Sequence, residues 1–368
     1  MEFPFDALRR WPDVEAPDLV AVDAADRLIL DLSRDARSDA APGEVVVIGD
    51  AYGALSLASA VDGPPVRVHQ DSLLGEQALA ANAAGLGMIG RTESLPLNAD
   101  LVRDARLVLV RLPRSLDALE DIAGLIAKYA DPRVRVFAGG RVKHMALTMN
   151  DVLRRHFGRL DISPARQKAR VLIAAEPYGG HDPEPRRARV GDLEVCAFGG
   201  VFAGAGLDIG TRFLLENLPH EISDDAVVVD LACGTGVVGV TLAQRHPRLR
   251  IHASDVSAAA VASARATAAA SGVAERVEVI QDVGLSRLAD GAADLIALNP
   301  PFHTGAAVHE RLAHGLFKDA ARVLAPGGEL WTVWNSHLRY RSALERLVGP
   351  TRQVARNAKF TVTASGSA

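Results

Sequence analysis

One strand–turn–helix pattern occurs twice in the chain, and that repeat restricts the fold more than any other feature. Val45-Val-Val-Ile-Gly-Asp-Ala-Tyr-Gly-Ala-Leu55 reads as a buried strand that breaks into a glycine-containing turn and then a helix. Val227-Val-Val-Asp-Leu-Ala-Cys-Gly-Thr-Gly236 reads the same way. Each is followed by a second short strand ending near an acid (residues 66–71 and 249–255), then by alanine-rich helical stretches with an interrupting glycine. Each copy later reaches an apolar strand that meets proline, at Pro113 and at Pro300. Aligning the turn glycines Gly53 and Gly236 puts Val47 where the second copy has Asp230, and aligning the prolines puts Leu112 in place of Asn299 and Arg114 in place of Pro301.

Strands alternating with helical stretches imply parallel βαβ units and a sheet with helices on both faces. The expected fold is therefore α/β, with two tandem doubly wound, Rossmann-like domains. A chain of 368 residues holds two domains of ordinary size, and 48% hydrophobic residues supply a core for each. The expected division is 1–140, a basic connecting segment 141–200, and 201–368. Within the connecting segment, Glu176-Pro-Tyr-Gly-Gly-His-Asp-Pro-Glu-Pro185 has neither a helical nor a strand period and reads as a loop.

Net charge is −4, yet the charge is unevenly placed. From Arg141 to Arg189 there are eleven Lys/Arg against five Asp/Glu, and from His337 to Lys359 six against one. Residues 1–40 run the other way, with five Arg and ten acids. Basic strips on a mildly acidic chain fit an anionic partner, although ordinary solvated surface explains the charge equally well. The two cysteines, Cys196 and Cys233, form no disulfide framework and no metal-ligand spacing, which suits a reducing cytoplasm. The first residues have neither a basic start nor a long apolar run, so no secretory leader is expected, and no apolar run approaches membrane-spanning length.

The second copy carries the chemistry. After the strand 226–231, Gly234 and Gly236 allow a tight turn and close approach of a ligand to the backbone, and a helix then opens at Val237 with free N–H groups. Gly234-Thr-Gly-Val-Val-Gly239 also matches the dinucleotide fingerprint, which leaves a nicotinamide-dependent oxidoreductase open on this motif alone. Asp230 separates the readings. A carboxylate there repels a pyrophosphate but attracts the ammonium and sulfonium of S-adenosylmethionine. Asp255, ending the second strand, is placed to accept from ribose hydroxyls. Asp282, ending the third, is placed to accept from an adenine amine, and reads equally as a strand-end turn residue. Candidate cofactor-binding residues are Asp230, Ala232, Cys233, Gly234, Gly236, Asp255, Val256, Asp282, Val283 and Asn299. Cys233 has no paired base and is expected to pack rather than react.

Asn299-Pro-Pro-Phe302 follows an apolar strand, and its two prolines freeze the chain so that Asn299 is held in one pose. The Asn299 side-chain carbonyl and the Pro300 backbone carbonyl would bind both hydrogens of an exocyclic amine, leaving its lone pair to attack a methyl carbon in line. Phe302 would stack on the target base. Asn299, Pro300, Pro301 and Phe302 are the candidate catalytic residues. His303 adjoins them as a candidate substrate contact, although such a histidine often caps a helix. His303, His309 and His314 make no metal motif, and no metal is expected.

These residues closely resemble the bacterial ribosomal RNA guanine-N2 methyltransferases with two tandem methyltransferase-like domains, and the likeness covers nearly the whole chain. It includes Gly204-Ala-Gly-Leu-Asp-Ile-Gly-Thr-Arg-Phe-Leu-Leu215 and Asn299-Pro-Pro-Phe-His303. Gly139-Gly-Arg-Val-Lys-His144 and Arg166-Gln-Lys-Ala-Arg170 look more like the large-subunit (23S) enzyme than the small-subunit (16S) one. The resemblance implies a degenerate N-terminal domain that assists RNA binding. It also implies that Phe202, Asp208 and Thr211 lie beside the methionine end of the cofactor, where the sequence alone reads a strand end and a helix cap. Arg166, Lys168 and Arg170 are then candidate RNA contacts. One departure is Ala232, where the family's turn has glycine.

The expected activity is S-adenosylmethionine-dependent methylation of a guanine N2 amine in ribosomal RNA, most readily 23S, by a cytoplasmic, monomeric chain with no membrane partner. Competing readings are a 16S guanine-N2, an adenine-N6 or a protein glutamine methyltransferase, or a non-catalytic RNA-binding protein that keeps the fold.

Overall fold

The structure is a computed structural model that describes residues 3–17, 19–61, 63–300 and 306–366. It divides into two compact units, residues 1–184 and 185–368, each built on a seven-stranded sheet.

The first unit contains β1 (Val45–Ile48), β2 (Val66–His69), β3 (Thr92–Ser94), β4 (Leu107–Arg111), β5 (Arg135–Arg141), β6 (Phe157–Ile162) and β7 (Ala169–Pro177). They lie in the order β3-β2-β1-β4-β5-β7-β6. The second unit opens with a two-stranded hairpin, β8 (Arg186–Val190) and β9 (Leu193–Ala197). Its main sheet contains β10 (Val228–Leu231), β11 (Ile251–Asp255), β12 (Val277–Gln281), β13 (Ala293–Leu298), β14 (Leu324–Asn335), β15 (Thr351–Arg356) and β16 (Phe360–Gly366). Their order, β12-β11-β10-β13-β14-β16-β15, repeats that of the first unit strand for strand. The two tandem doubly wound sheets anticipated from the repeat are thus present.

Two features differ from expectation. Five strands in each sheet are parallel, but the last two form an antiparallel edge: β5 pairs antiparallel with β7 and β7 with β6, as β14 does with β16 and β16 with β15. The stretch 141–200 is no independent connector. It supplies the end of β5, the helix Thr148–Arg154 and the β6–β7 hairpin to the first unit, and β8–β9 to the second. Its polar, basic character belongs to an edge hairpin with one solvated face. β6 buries Phe157 at its start and leaves most of the rest exposed, Arg159 and Asp161 included, as an edge strand of an antiparallel pair allows. The loop read at 176–185 lies between β7 and β8.

Strand burial follows directly from the apolar runs. All four residues of β1 and of β10 are buried, because helices cover both faces. In β10, Val229 and Leu231 face one apolar cluster and Val228 the other, so Asp230 shares the face of Val228.

Pairing register makes the two copies superimposable residue by residue. Val45 pairs with Leu107 and Val228 with Leu295, so Val47 does correspond to Asp230. Carried to the strand ends, the same register sets Arg111, not Leu112, opposite Asn299, and Leu112 opposite Pro300. The proline alignment is one residue out because Pro113 falls one position later along its strand than Pro300. Gly49, at φ +76°, corresponds to Ala232, which takes φ +56°. An alanine Cβ in that left-handed conformation crowds the following carbonyl, at about 1–2 kcal/mol, whereas glycine costs about 0.5–1 kcal/mol in unfolded-chain entropy. Ala232→Gly should therefore stabilise the second unit by about 0.5–1 kcal/mol, read from the urea midpoint of residues 185–368 within the full chain. An unchanged or lower midpoint would show that the turn carries no such strain.

Candidate functional site

At the carboxyl edge of the second sheet, β10 runs into a turn whose residues Ala232, Gly234 and Gly236 all have positive φ. Gly236 caps the helix Val237–Arg245 and cannot be larger, since a Cβ there would lie 2.8 Å from that of Ala264 in the neighbouring helix Ala258–Ala270. The carboxyl group of Asp230 lies under this turn, only 3% exposed, and its Oδ2 accepts from the Gly239 N–H at 2.8 Å. Burial pushes its pKa up to about 7; the Gly239 N–H opposes that shift and the like charge of Asp255 adds to it. Gly239 was not singled out from the sequence, although it is the third glycine of the fingerprint, and a Cβ on it would press within 3.2 Å of Asp230.

Asp255 closes β11. Its Oδ2 accepts from the Gly234 N–H at 2.9 Å and its Oδ1 from the Ser257 N–H at 3.0 Å, so the second acid braces the glycine turn that follows the first. Asp282 is buried, and its oxygens accept from Val283 N–H, Ser286 O–H and Arg287 N–H. It therefore organises its own turn. Val256 and Val283, the residues after these acids, are half-buried. Cys233 is buried and its thiol is pushed well up, first by burial and then by the charges of Asp230 and Asp255, which keeps it protonated and inert.

Asn299 follows β13 directly. Its Nδ2 donates to Thr211 Oγ1 at 2.9 Å and to Asp208 Oδ2 at 3.2 Å, while Asp208 caps the helix Ile209–Leu215 by accepting from the Thr211 N–H at 3.0 Å. Three residues separated by up to 91 positions thus meet in one cluster. With both hydrogens of its amide nitrogen engaged, Asn299 presents only its carbonyl. That Oδ1 is buried and has no hydrogen-bond partner among the described residues, a condition that costs about 1–3 kcal/mol unless a ligand supplies the donor. Pro300 is buried beside it. Pro301, Phe302 and His303 lie outside the described residues.

The turn, the buried acid and the orphaned acceptor fit S-adenosylmethionine. A buried carboxylate with no cation against it among the described residues suits an ammonium, and the open space around Gly234, where a Cβ would meet nothing within 4 Å, admits a ligand close to the backbone. Phe202 is 48% exposed in the segment before Asp208. Arg166, Lys168 and Arg170 belong to the first unit: Arg166 and Lys168 lie in the tight β6–β7 turn, where Lys168 takes φ +61°, and Arg170 lies in β7. Arg166 and Lys168 are exposed, but Arg166 pairs with Asp31 at 2.5 Å, so one of these cations serves the unit's own packing.

The first copy closes the corresponding place with its own side chains. Arg111, the register equivalent of Asn299, bonds Asp23 and Asp26 at 2.8 Å. Asp23 caps the helix Ala24–Leu32 as Asp208 caps its own, and Asp26 stands at the third helical position, as Thr211 does. An ion pair fills the space where the second copy leaves an acceptor open.

The RLMG N-terminal domain family matches residues 2–178, and the methyltransferase small domain family matches residues 192–364. The ribosomal RNA large subunit methyltransferase G of Pseudomonas aeruginosa is 38% identical over 367 residues, covering 98% of this chain and 96% of that protein. That of Streptomyces avermitilis is 37% identical over 371 residues, covering 97% and 95%. Among solved structures, a T. thermophilus 16S rRNA N2 methyltransferase (RsmC), in complex with AdoMet and guanosine, aligns with a TM-score of 0.76. It is 21% identical, and the alignment covers 99% of this chain and 100% of that one, so it shares the fold across both units. On the full-length identity to these relatives, the chain belongs to the ribosomal RNA large subunit methyltransferase G family.

Proposed function

We propose that the chain transfers the methyl group of S-adenosylmethionine to the exocyclic N2 amine of a guanine in 23S ribosomal RNA. The observation that carries this reading is the buried Oδ1 of Asn299, aimed by its own amide nitrogen's bonds to Asp208 and Thr211 and lacking a donor. An amine with two hydrogens supplies that donor.

The cofactor, when bound, contributes an electrophilic methyl on a positively charged sulfur. Asp230 holds the ammonium end, Asp255 the ribose, and the segment around Asp282 and Val283 the base. Asn299 Oδ1 accepts one amine hydrogen and the Pro300 carbonyl the other, which draws the nitrogen lone pair out of conjugation with the purine ring. That lone pair forms the new N–C bond as the C–S bond breaks. Sulfur keeps the bonding electrons and becomes neutral, and the nitrogen sheds one proton. No strong base is required, because the nitrogen becomes acidic only as the bond forms. Phe302 offers a stacking face for the flipped base, and His303 adjoins it. Lys168 and Arg170 contribute phosphate contacts from the first unit. The partner is ribosomal RNA, met in the cytoplasm by a single copy of the chain.

Asn299→Ala should lower turnover on 23S RNA by about 10²–10³ while cofactor affinity, measured by calorimetry, changes far less. Near-normal turnover would remove Asn299 from the chemistry.

The raised Asp230 pKa sets a pH dependence whose sign is fixed. The ligand-free chain keeps the carboxyl protonated up to about pH 7, whereas a bound ammonium favours the carboxylate. Binding therefore releases a proton below that pH, and affinity should rise about tenfold per unit as pH climbs from 5.5 toward 7, then level off. Asp230→Asn should bind weakly and without that slope. A wild-type affinity flat across this window would place the cofactor's ammonium elsewhere.

A further inference from the structure

Within the first unit, Glu120, His156 and His181 converge from three separate elements. Glu120 lies on the helix Leu116–Tyr129, His156 follows the helix Thr148–Arg154, and His181 sits in the loop after β7. Their ligand atoms all lie within 4.8 Å of one another. His156 is only 3% exposed, and the three positions are too far apart in sequence to form a spacing motif.

Hydrogen bonding settles which ring nitrogens face inward. His156 Nδ1 lies 3.1 Å from the Gly179 carbonyl, and His181 Nδ1 lies 2.9 Å from that of Asp182. A carbonyl oxygen only accepts, so both Nδ1 atoms carry the proton and, in the neutral rings, both Nε2 atoms carry a lone pair. Both Nε2 atoms lie near one carboxylate oxygen, Glu120 Oε1, at 2.8 Å from His156 and 3.7 Å from His181. Three electron-pair donors facing one another repel unless a proton or a cation lies between them. The other carboxylate oxygen, Oε2, accepts from Arg155, which leaves Oε1 as the oxygen nearest the two rings.

The spacing suits a metal. Ligands about 2.0–2.1 Å from a tetrahedral zinc stand about 3.3 Å apart, and the two nitrogen–oxygen distances fall on either side of that value. A histidine whose remote N–H is fixed on a backbone carbonyl is the usual second bond of a zinc-ligating imidazole. The loop is also built to hold its ring in place. A Cβ on Gly124 would lie 2.5 Å from His181 Nε2, so only glycine lets the ring lie on that helix. Asp182 is tied to the same helix by Lys128 at 2.5 Å and by Tyr129 O–H at 2.8 Å.

We propose that Glu120, His156 and His181 bind one zinc-type divalent ion, with water in the fourth position on the exposed side of His181, clipping the loop after β7 to the two helices. Imidazole and carboxylate donors favour zinc over magnesium, which prefers oxygen alone. The clip lies in the unit that carries none of the proposed methyl-transfer residues, so its test is independent of methyl transfer.

The full-length chain, stripped with EDTA and desalted, is titrated with zinc against a chromophoric chelator. One equivalent should be taken up, with a rise in Tm, and magnesium should give neither. His181→Ala and Glu120→Gln should each lose both effects while matching the Tm of the stripped wild type. The intense visible bands of tetrahedral cobalt(II) in the wild-type chain provide a check that does not depend on any variant folding. Absence of zinc uptake and of those bands, or undiminished uptake by His181→Ala, would overturn the proposal and leave a plain Glu120–His156 hydrogen bond.

Discussion

The grip of Asp208 and Thr211 on the Asn299 amide nitrogen is the constraint on which the second unit's site depends. It joins the end of β13 to the cap of the helix Ile209–Leu215, so one cluster of contacts fixes both the start of that helix and the direction of the Asn299 carbonyl. Primary amides are symmetric enough in shape that packing alone would not choose between oxygen and nitrogen. Two acceptors on one side make the choice.

The same architecture reaches the opposite outcome in the first unit through changes at corresponding positions, Arg111 for Asn299 and Asp26 for Thr211. Arginine at the asparagine position brings a longer, charged group, and Asp23 and Asp26 neutralise it. Burial raises the Asp26 pKa to about 7, while Arg111 pulls it down. In the second unit Asp230 reaches the same value with only a backbone N–H to help. One buried acid has its cation built in, and the other has an N–H and an open turn.

Much of this was legible in the sequence because buried parallel strands are written as uninterrupted apolar runs. β1, β4, β10 and β13 stand out for that reason, and the glycines at 234 and 236 mark the turn by the backbone geometry they permit. Other features left no local mark. β6 is mostly exposed and carries charged residues, and the turn after it is basic, so the β6–β7 hairpin reads as a basic connector until its partner β5 is known. Asp208 looks like any helix cap, since its second bond goes to a residue 91 positions away. Arg111 was hidden by a proline one position out of step, which only the pairing register exposes. The Glu120, His156 and His181 cluster likewise exists only once two helices and a loop are folded together.

The ion pair of Arg111 has a consequence for how the chain holds together. With its own counter-ion built in, that place in the first unit has nothing to gain from a bound cofactor. The second unit, with a buried acid and an orphaned carbonyl, is completed by what binds to it, and a ligand that favours the folded form adds stability as its concentration climbs above its Kd. The two halves of one polypeptide therefore respond differently to the methyl-donor pool. As that pool shrinks, the half bearing Asn299 loses that added stability, while the ion pair in the other half stays in place.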